Sequence, residues 1–290
     1  MIRIGVAGWD YPDWRGTVYP PRAGASFDRL AFLARFVDAV EVNSTFYRPV
    51  DPRVSSSWVR RTEAAPGFRF TAKAHRSWTH QSDSEPREVV APTLAGLEPL
   101  RSADALGAIL VQFPQRFHAG PEALDRIGRL NDLLDGWPVV VEVRHSSWES
   151  DDAVGWLRER RIGWCVVDQP RVGRSTLSPL PRVTSSVGYL RLHGRNVSNW
   201  FREGAGRDAR YDYLYGLDEL RPLAGAAREM DGQAKELFVI QNNHFRGQAL
   251  VNALQMKHLV EGKRPAAPDS LIRAYPRIAE EVRGDQESLF

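Results

Sequence analysis

The sequence predicts an α/β protein of one domain, a TIM-like (β/α)8 barrel with long βα loops on its C-terminal face. Three observations lead there. Eight short strand-like runs alternate with helical patterns, which means parallel βα units. Eight such units in one chain close into a barrel before they make an open doubly wound sheet. The 290 residues suit one domain of that kind, and 42% hydrophobic content is ample for its core. Several strands also carry polar side chains on one face, as barrel strands do where their C-terminal ends open into a ligand site.

The runs are 3–9, 39–45, 69–75, 107–114, 139–145, 163–169, 188–194 and 236–243. The helical pattern at 27–36 sets Leu30, Leu33 and Ala34 on one face. That at 122–134 opens after Gly120-Pro121, a start signal, and repeats Leu124, Ile127, Leu130 and Leu134. Segment 151–160 begins acidic and ends basic, in keeping with the helix dipole. Segments 218–229 and 248–261 supply two more, with no linker or internal repeat in between. The domain is read as 1–283 and the remainder, 284–290, as an exposed tail.

Three connections after strand C-termini are long, and their aromatic content argues for function over disorder. The first, 9–26, holds Tyr11, Trp14, Arg15 and Tyr19; the second, 75–91, holds Arg76, Trp78 and His80. The third, 194–216, holds Arg195, Trp200, Arg202, Tyr211, Tyr213 and Tyr215.

Strand alternation then sorts side chains into two faces. In the second strand Val40 and Val42 oppose Glu41 and Asn43, with Tyr47 and Arg48 directly after. If apolar faces meet the helices, the barrel interior collects Glu41, Asn43, Lys73, His75, Gln112, Glu142, Arg144, Asp168, Arg191 and His193. The eighth strand ends Gln241-Asn242-Asn243, so at least one amide points inward. Charges buried unpaired would cost several kcal/mol each, so the set is expected to be paired and to reach ligand at the mouth. Glu41, Glu142 and His193 are the candidates to move protons. The remaining polar residues, with Arg195, are candidates to bind substrate.

Glu41, His75, Glu142, Asp168 and His193 also suffice in number for a divalent metal, but Lys73, Arg144 and Arg191 among them oppose it, so no cofactor is assigned. Paired glutamates beside mouth tryptophans would suit glycoside cleavage. Arginines beside aromatics at the strand ends suit phosphate backbones and stacked bases. Cys165, on the face opposite Asp168, reads as core, and as the single cysteine it excludes an intramolecular disulfide and fits a reducing compartment. With no leader-like or membrane-spanning pattern, a cytoplasmic protein is expected. The net charge of +3 by itself announces neither nucleic acid nor membrane.

Several stretches together resemble the YecE-like family, also called domain of unknown function 72. They are Gly8-Trp9-Asp10-Tyr11-Pro12-Asp13-Trp14-Arg15-Gly16, the segment 40–48, Phe70-Thr71-Ala72-Lys73, and Glu142-Val143-Arg144-His145-Ser146-Ser147-Trp148. Tyr189-Leu190-Arg191-Leu192-His193-Gly194-Arg195, Tyr213-Leu214-Tyr215 and Asn242-Asn243 extend the likeness through nearly the whole chain. Ile240-Gln241 departs from the aromatic that often precedes the paired asparagines in that family. The resemblance implies a TIM-like barrel similar in shape to the endonuclease IV and xylose isomerase barrels, and it implies no reaction.

The terminus Gln286-Glu287-Ser288-Leu289-Phe290 resembles the short peptide with which replication and repair proteins dock on the bacterial sliding clamp. Gln286, Ser288, Leu289 and Phe290 are thus candidate partner-binding residues. The expectation is a hydrolase-like barrel enzyme acting on DNA or another phosphate-bearing substrate and recruited through its tail. The alternatives are a carbohydrate-active enzyme using Glu41 and Glu142, and a non-catalytic nucleic-acid or clamp adaptor.

Overall fold

The computed structural model describes residues 1–80, 87–171, 173, 175–200, 202 and 206–285. Its strands are β1 (Ile2–Ala7), β2 (Ala39–Val42), β3 (Arg69–Lys73), β4 (Leu106–Gln112), β5 (Val139–Glu142), β6 (Gly163–Asp168), β7 (Val187–Leu192) and β8 (Glu236–Gln241). All neighbours pair in parallel, and β1 closes on β8. All eight strands therefore lie where alternation places them, but each ends one to three residues earlier, where the chain leaves the ladder for a loop.

The barrel wall is covered by α1 (Arg29–Leu33), α2 (Pro52–Arg61), α3 (Arg87–Ser102), α4 (Pro121–Leu133) and α5 (Asp151–Glu159). Beyond β7 come the one-turn helices α6 (Val197–Trp200) and α7 (Arg207–Arg210), then α8 (Leu217–Asp231) and α9 (Gln248–Glu261). Helix α3 carries Pro92 and Pro99, residues that read as breakers, yet it buries Leu97 and Leu100 against the wall. In α2 the Asp51 carboxylate caps Arg53 N–H and Pro52 occupies the first turn, where its missing donor is harmless. The crossover from β6 to β7 contains no helix among the described residues, so one unit of the expected eight is a loop.

Inside the barrel an apolar cluster packs beneath and between the charged side chains. Ala7, Ala39, Ala108, Leu110, Val140, Cys165, Val167, Tyr189, Phe238 and Ile240 form this inner cluster. Small residues make room for large ones across the barrel: a Cβ on Gly107 would lie 2.0 Å from the Phe238 ring. Likewise, a Cβ on Gly5 would lie 2.2 Å from the Ala39 carbonyl oxygen. The close β1–β2 approach that sets Glu41 therefore needs a glycine at position 5.

Two expectations change here. Cys165 and Val167 face the interior, so alternation turns Asp168 outward, and it does not join the central charged set. The domain also runs past residue 283. Strand β10 (Arg283–Gly284) pairs with β9 (Ala266–Ala267), Asp285 N–H donates to the Ala267 carbonyl, and the Asp285 carboxylate pairs with Arg35. Residues 284 and 285 thus belong to the folded body, and the candidate clamp-binding residues Gln286, Ser288, Leu289 and Phe290 lie outside the described residues. Among the described residues no helix is long and apolar enough to cross a membrane.

Candidate functional site

Barrel closure brings β2, β5 and β7 together around one guanidinium. Arg191, 1% exposed, donates from Nη2 to Glu41 Oε1 at 2.6 Å and from Nη1 to Glu142 Oε2 at 2.5 Å. Its Nη1 also reaches Gln112 Oε1 at 3.3 Å. The second oxygen of Glu41 accepts from the Tyr189 hydroxyl at 2.9 Å, and that hydroxyl lies 2.8 Å from Thr71 Oγ1. The other oxygen of Glu142 accepts from Arg144 Nε and Nη2 at 2.9 and 2.7 Å. The network is buried and paired, as the cost of isolated charge demands.

The pairing changes the chemistry the glutamates can do. Burial alone would raise the Glu142 carboxyl, but Arg191 and Arg144 outweigh it and hold the group well below the usual range. All four carboxylate oxygens of the pair accept hydrogen bonds, and both residues are fully buried. Glycoside cleavage needs one carboxyl that arrives protonated at the leaving oxygen, and Glu142 does not meet that need. The two glutamates are better described as the anionic support that orients Arg144 and Arg191.

His193 sits on the same network. Asn242 Nδ2 donates to its Nδ1 at 2.8 Å, which leaves the hydrogen on Nε2, directed at Glu142 Oε1 3.4 Å away. Burial, reinforced by the Arg191 charge, lowers its pKa to about 3, so the ring is neutral at physiological pH. A proton shuttle that charges and discharges near neutrality is therefore not what this histidine provides.

Lys73 and Arg144 are the two cations of this set that are not fully buried. Arg144 is 13% exposed and lies 5.8 Å from the Trp200 ring, while Lys73 Nζ lies 4.2 Å from the Phe46 ring. Trp200 and Tyr211, from the loop after β7, cover His193 at ring distances of 5.7 and 6.1 Å. Gly194, at φ +89, makes the turn that starts this loop.

The other predicted residues are placed elsewhere. Asp168 is held by Arg195 Nε and Nη2 and by the Tyr215 hydroxyl at 2.6 Å, which ties the β6 and β7 ends to α8 through Glu219. Asn243 donates to the Tyr213 carbonyl and to Asn252, a strut behind the site. His75 links two loops: Nδ1 meets the Ser77 hydroxyl and backbone N–H, and Nε2 faces the Tyr47 carbonyl at 3.1 Å. Asn43 and Tyr47 line a neighbouring cavity of about 710 Å³ with Trp9, Asp10 and Arg61, and Arg48 is exposed beyond them. Among the described residues no three His, Cys, Asp or Glu side chains converge as a metal site would require.

Thr71 and Tyr189 share their strand faces with Lys73 and Arg191 by alternation, so the hydroxyl pair beside Glu41 is readable from the strands. A second signal is a four-residue turn that recurs at strand ends: Asn43-Ser44-Thr45-Phe46, His75-Arg76-Ser77-Trp78 and His145-Ser146-Ser147-Trp148. Each forms a short 3-10 turn, and in the two histidine versions the ring nitrogen accepts from the serine N–H two residues on. Local repetition thus exists at the mouth, and it identifies His75 and His145 as turn caps.

The family model described as protein of unknown function DUF72 matches residues 3–275. The UPF0759 protein YunF of Bacillus subtilis is 29% identical over 90% of this chain and 95% of its own length. A crystal structure of a DUF72 family protein from Thermotoga maritima has a TM-score of 0.79 at 32% identity, covering 90% of this chain and 99% of that one. Another, from Enterococcus faecalis, has a TM-score of 0.78 at 26% identity, covering 90% and 96%.

Proposed function

The chain belongs to the DUF72 family, and from that premise and the geometry of the mouth we propose that it acts on a phosphate-bearing substrate, with nucleic acid fitting the rim best. One observation carries the reading: the floor of the mouth offers cationic donors that no protein acceptor uses. Arg191 is consumed by the glutamates, but Arg144 Nη1 and Lys73 Nζ have no hydrogen-bond or ion-pair partner among the described residues. Arg48, Arg76, Arg116, Arg202 and Arg246, all exposed, follow strand ends in the chain, among aromatic residues such as Tyr47, Phe117 and Trp200. Guanidinium groups spaced among flat rings suit a backbone of phosphates with unstacked bases.

The test is binding of single-stranded, abasic and structured DNA, with and without divalent metal, across a salt titration. Arg144→Ala is expected to weaken binding about tenfold or more, the worth of one charge-assisted contact, and to reduce the salt slope by about one. A wild-type protein that binds none of these DNAs at low salt sinks the reading. So does an Arg144→Ala protein, folded by thermal melting, with unchanged affinity and slope.

Recruitment is the second half of the proposal and rests on the terminal sequence alone. Leu289→Ala combined with Phe290→Ala is expected to abolish binding to a bacterial sliding clamp in a surface-capture assay. Retained affinity would remove the recruitment step and leave the barrel reading intact.

A further inference from the structure

We propose that Lys73 is an amine nucleophile that condenses with the carbonyl group of an anionic aldehyde or ketone held at the mouth by Arg144. This deepens the reading above: it uses the same anion-binding mouth and adds the group that reacts.

The first support is placement. Lys73 ends β3 at the C-terminal face of the barrel, where reactive side chains of this architecture are presented. The charged groups facing it are Glu41 from β2, Glu142 and Arg144 from β5, Arg191 from β7, and His80 from the loop that follows its own strand. Both glutamates are spent on arginines, so neither forms an ion pair with Lys73 within 4.0 Å. Among the described residues its head group has no hydrogen-bond or ion-pair partner, and it lies 4.2 Å from the face of Phe46. An aromatic face stabilises an ammonium far less than a carboxylate does once the group leaves water.

The second support is the choice of residue. This chain has four lysines, Lys73, Lys235, Lys257 and Lys263, against 35 arginines. Lys257 is paired with Asp38 on the outer surface, and Lys235 and Lys263 are exposed. A site needing only a phosphate clamp would be served by the bidentate arginine this chain uses nearly everywhere. What lysine supplies and arginine does not is a nitrogen that loses its proton near neutrality and attacks carbon. Burial, followed by the Arg191 charge, lowers the Lys73 pKa from 10.5 to about 8, in line with that role.

The step balances without an oxidant or reductant. The neutral amine adds to the carbonyl carbon, a C–N bond forms, and the C=O π pair moves to oxygen. One amine proton and one solvent proton end on that oxygen, the C–O bond breaks, water leaves, and a protonated imine remains. The arginines beside it make that cation a stronger electron sink for cleavage or proton loss at the adjacent carbon.

The experiment traps the imine on the full-length protein with glyceraldehyde 3-phosphate and sodium cyanoborohydride, followed by peptide mass mapping of all four lysines. Lys73 is expected to be labelled about tenfold or more faster than the other three, because far more of it is neutral at physiological pH. Its rate should rise with pH to a midpoint near 8, and propionaldehyde, which carries no anion, should show a weaker preference. Lys73→Arg and Lys73→Met, checked by thermal melting, should both lose the fast label. Equal labelling of the four lysines, or a rate that climbs with no midpoint below about 10, overturns the proposal. Trapping without DNA binding would keep Lys73 and reject nucleic acid as the substrate. DNA binding without trapping would do the reverse.

Discussion

Arg191→Leu is expected to lower the free energy of unfolding by about 3–5 kcal/mol at neutral pH, read from urea denaturation midpoints. The reason lies in what the substitution leaves behind. Arg191 is the only guanidinium that touches both Glu41 and Glu142 among the described residues, and all three side chains are fully or almost fully buried. Without it, Glu41 keeps only the Tyr189 hydroxyl, while Glu142 keeps Arg144. The loss should shrink toward about pH 5, because a buried carboxyl without its cation takes up a proton more readily. The triple variant Arg191→Leu, Glu41→Gln, Glu142→Gln should recover most of the stability, since removing an entire buried ion network is far milder than breaking it. A single variant within about 1 kcal/mol of wild type would show that the network is not what holds the barrel mouth.

The second large effect is on pH dependence and belongs to His193. Its pKa is about 3 in the folded protein against an ordinary 6.5, so between those values the unfolded chain binds a proton that the folded one refuses. The stability from the neutral ring is fully present above about pH 6.5 and drains away as pH falls toward 3. From about pH 8 to about pH 5 the wild type should lose about 2 kcal/mol more than His193→Gln, whose side chain does not titrate. Glu142 is also lowered, but its contribution disappears only below the ordinary carboxyl value of 4.5, and His80 and His145, lowered too, are common to both proteins and cancel in the difference. Parallel pH profiles for the two proteins would mean that His193 charges inside the fold. That result would reopen the proton-shuttle role that the sequence suggested for it.

Both effects arise from residues that the strands presented as a list and the barrel turned into a circuit. Glu41, Lys73, Glu142, Arg144, Arg191 and His193 were legible on one face because a strand's period of two is a local property. Thr71 and Tyr189 were legible on the same grounds. Asp168 was assigned to the wrong side because it was grouped by its charge, whereas Cys165 and Val167 fix the phase of β6. Helix α3 escaped because Pro92 and Pro99 weigh against helix locally, while the gain from burying Leu97 and Leu100 is tertiary.

The sequence by itself determined the eight parallel strands, the polar C-terminal end of the barrel and the family to which the chain belongs. Only the tertiary structure decided which charges neutralise one another. Arg191 and Glu41 lie 150 positions apart and meet because the barrel closes, and no local pattern encodes that distance of 2.6 Å. Once they meet, Coulomb attraction in a buried site selects partners by separation and geometry. That selection commits Glu41 and Glu142 to arginines, leaves His193 neutral, and leaves the Lys73 amine and one edge of Arg144 without a partner among the described residues.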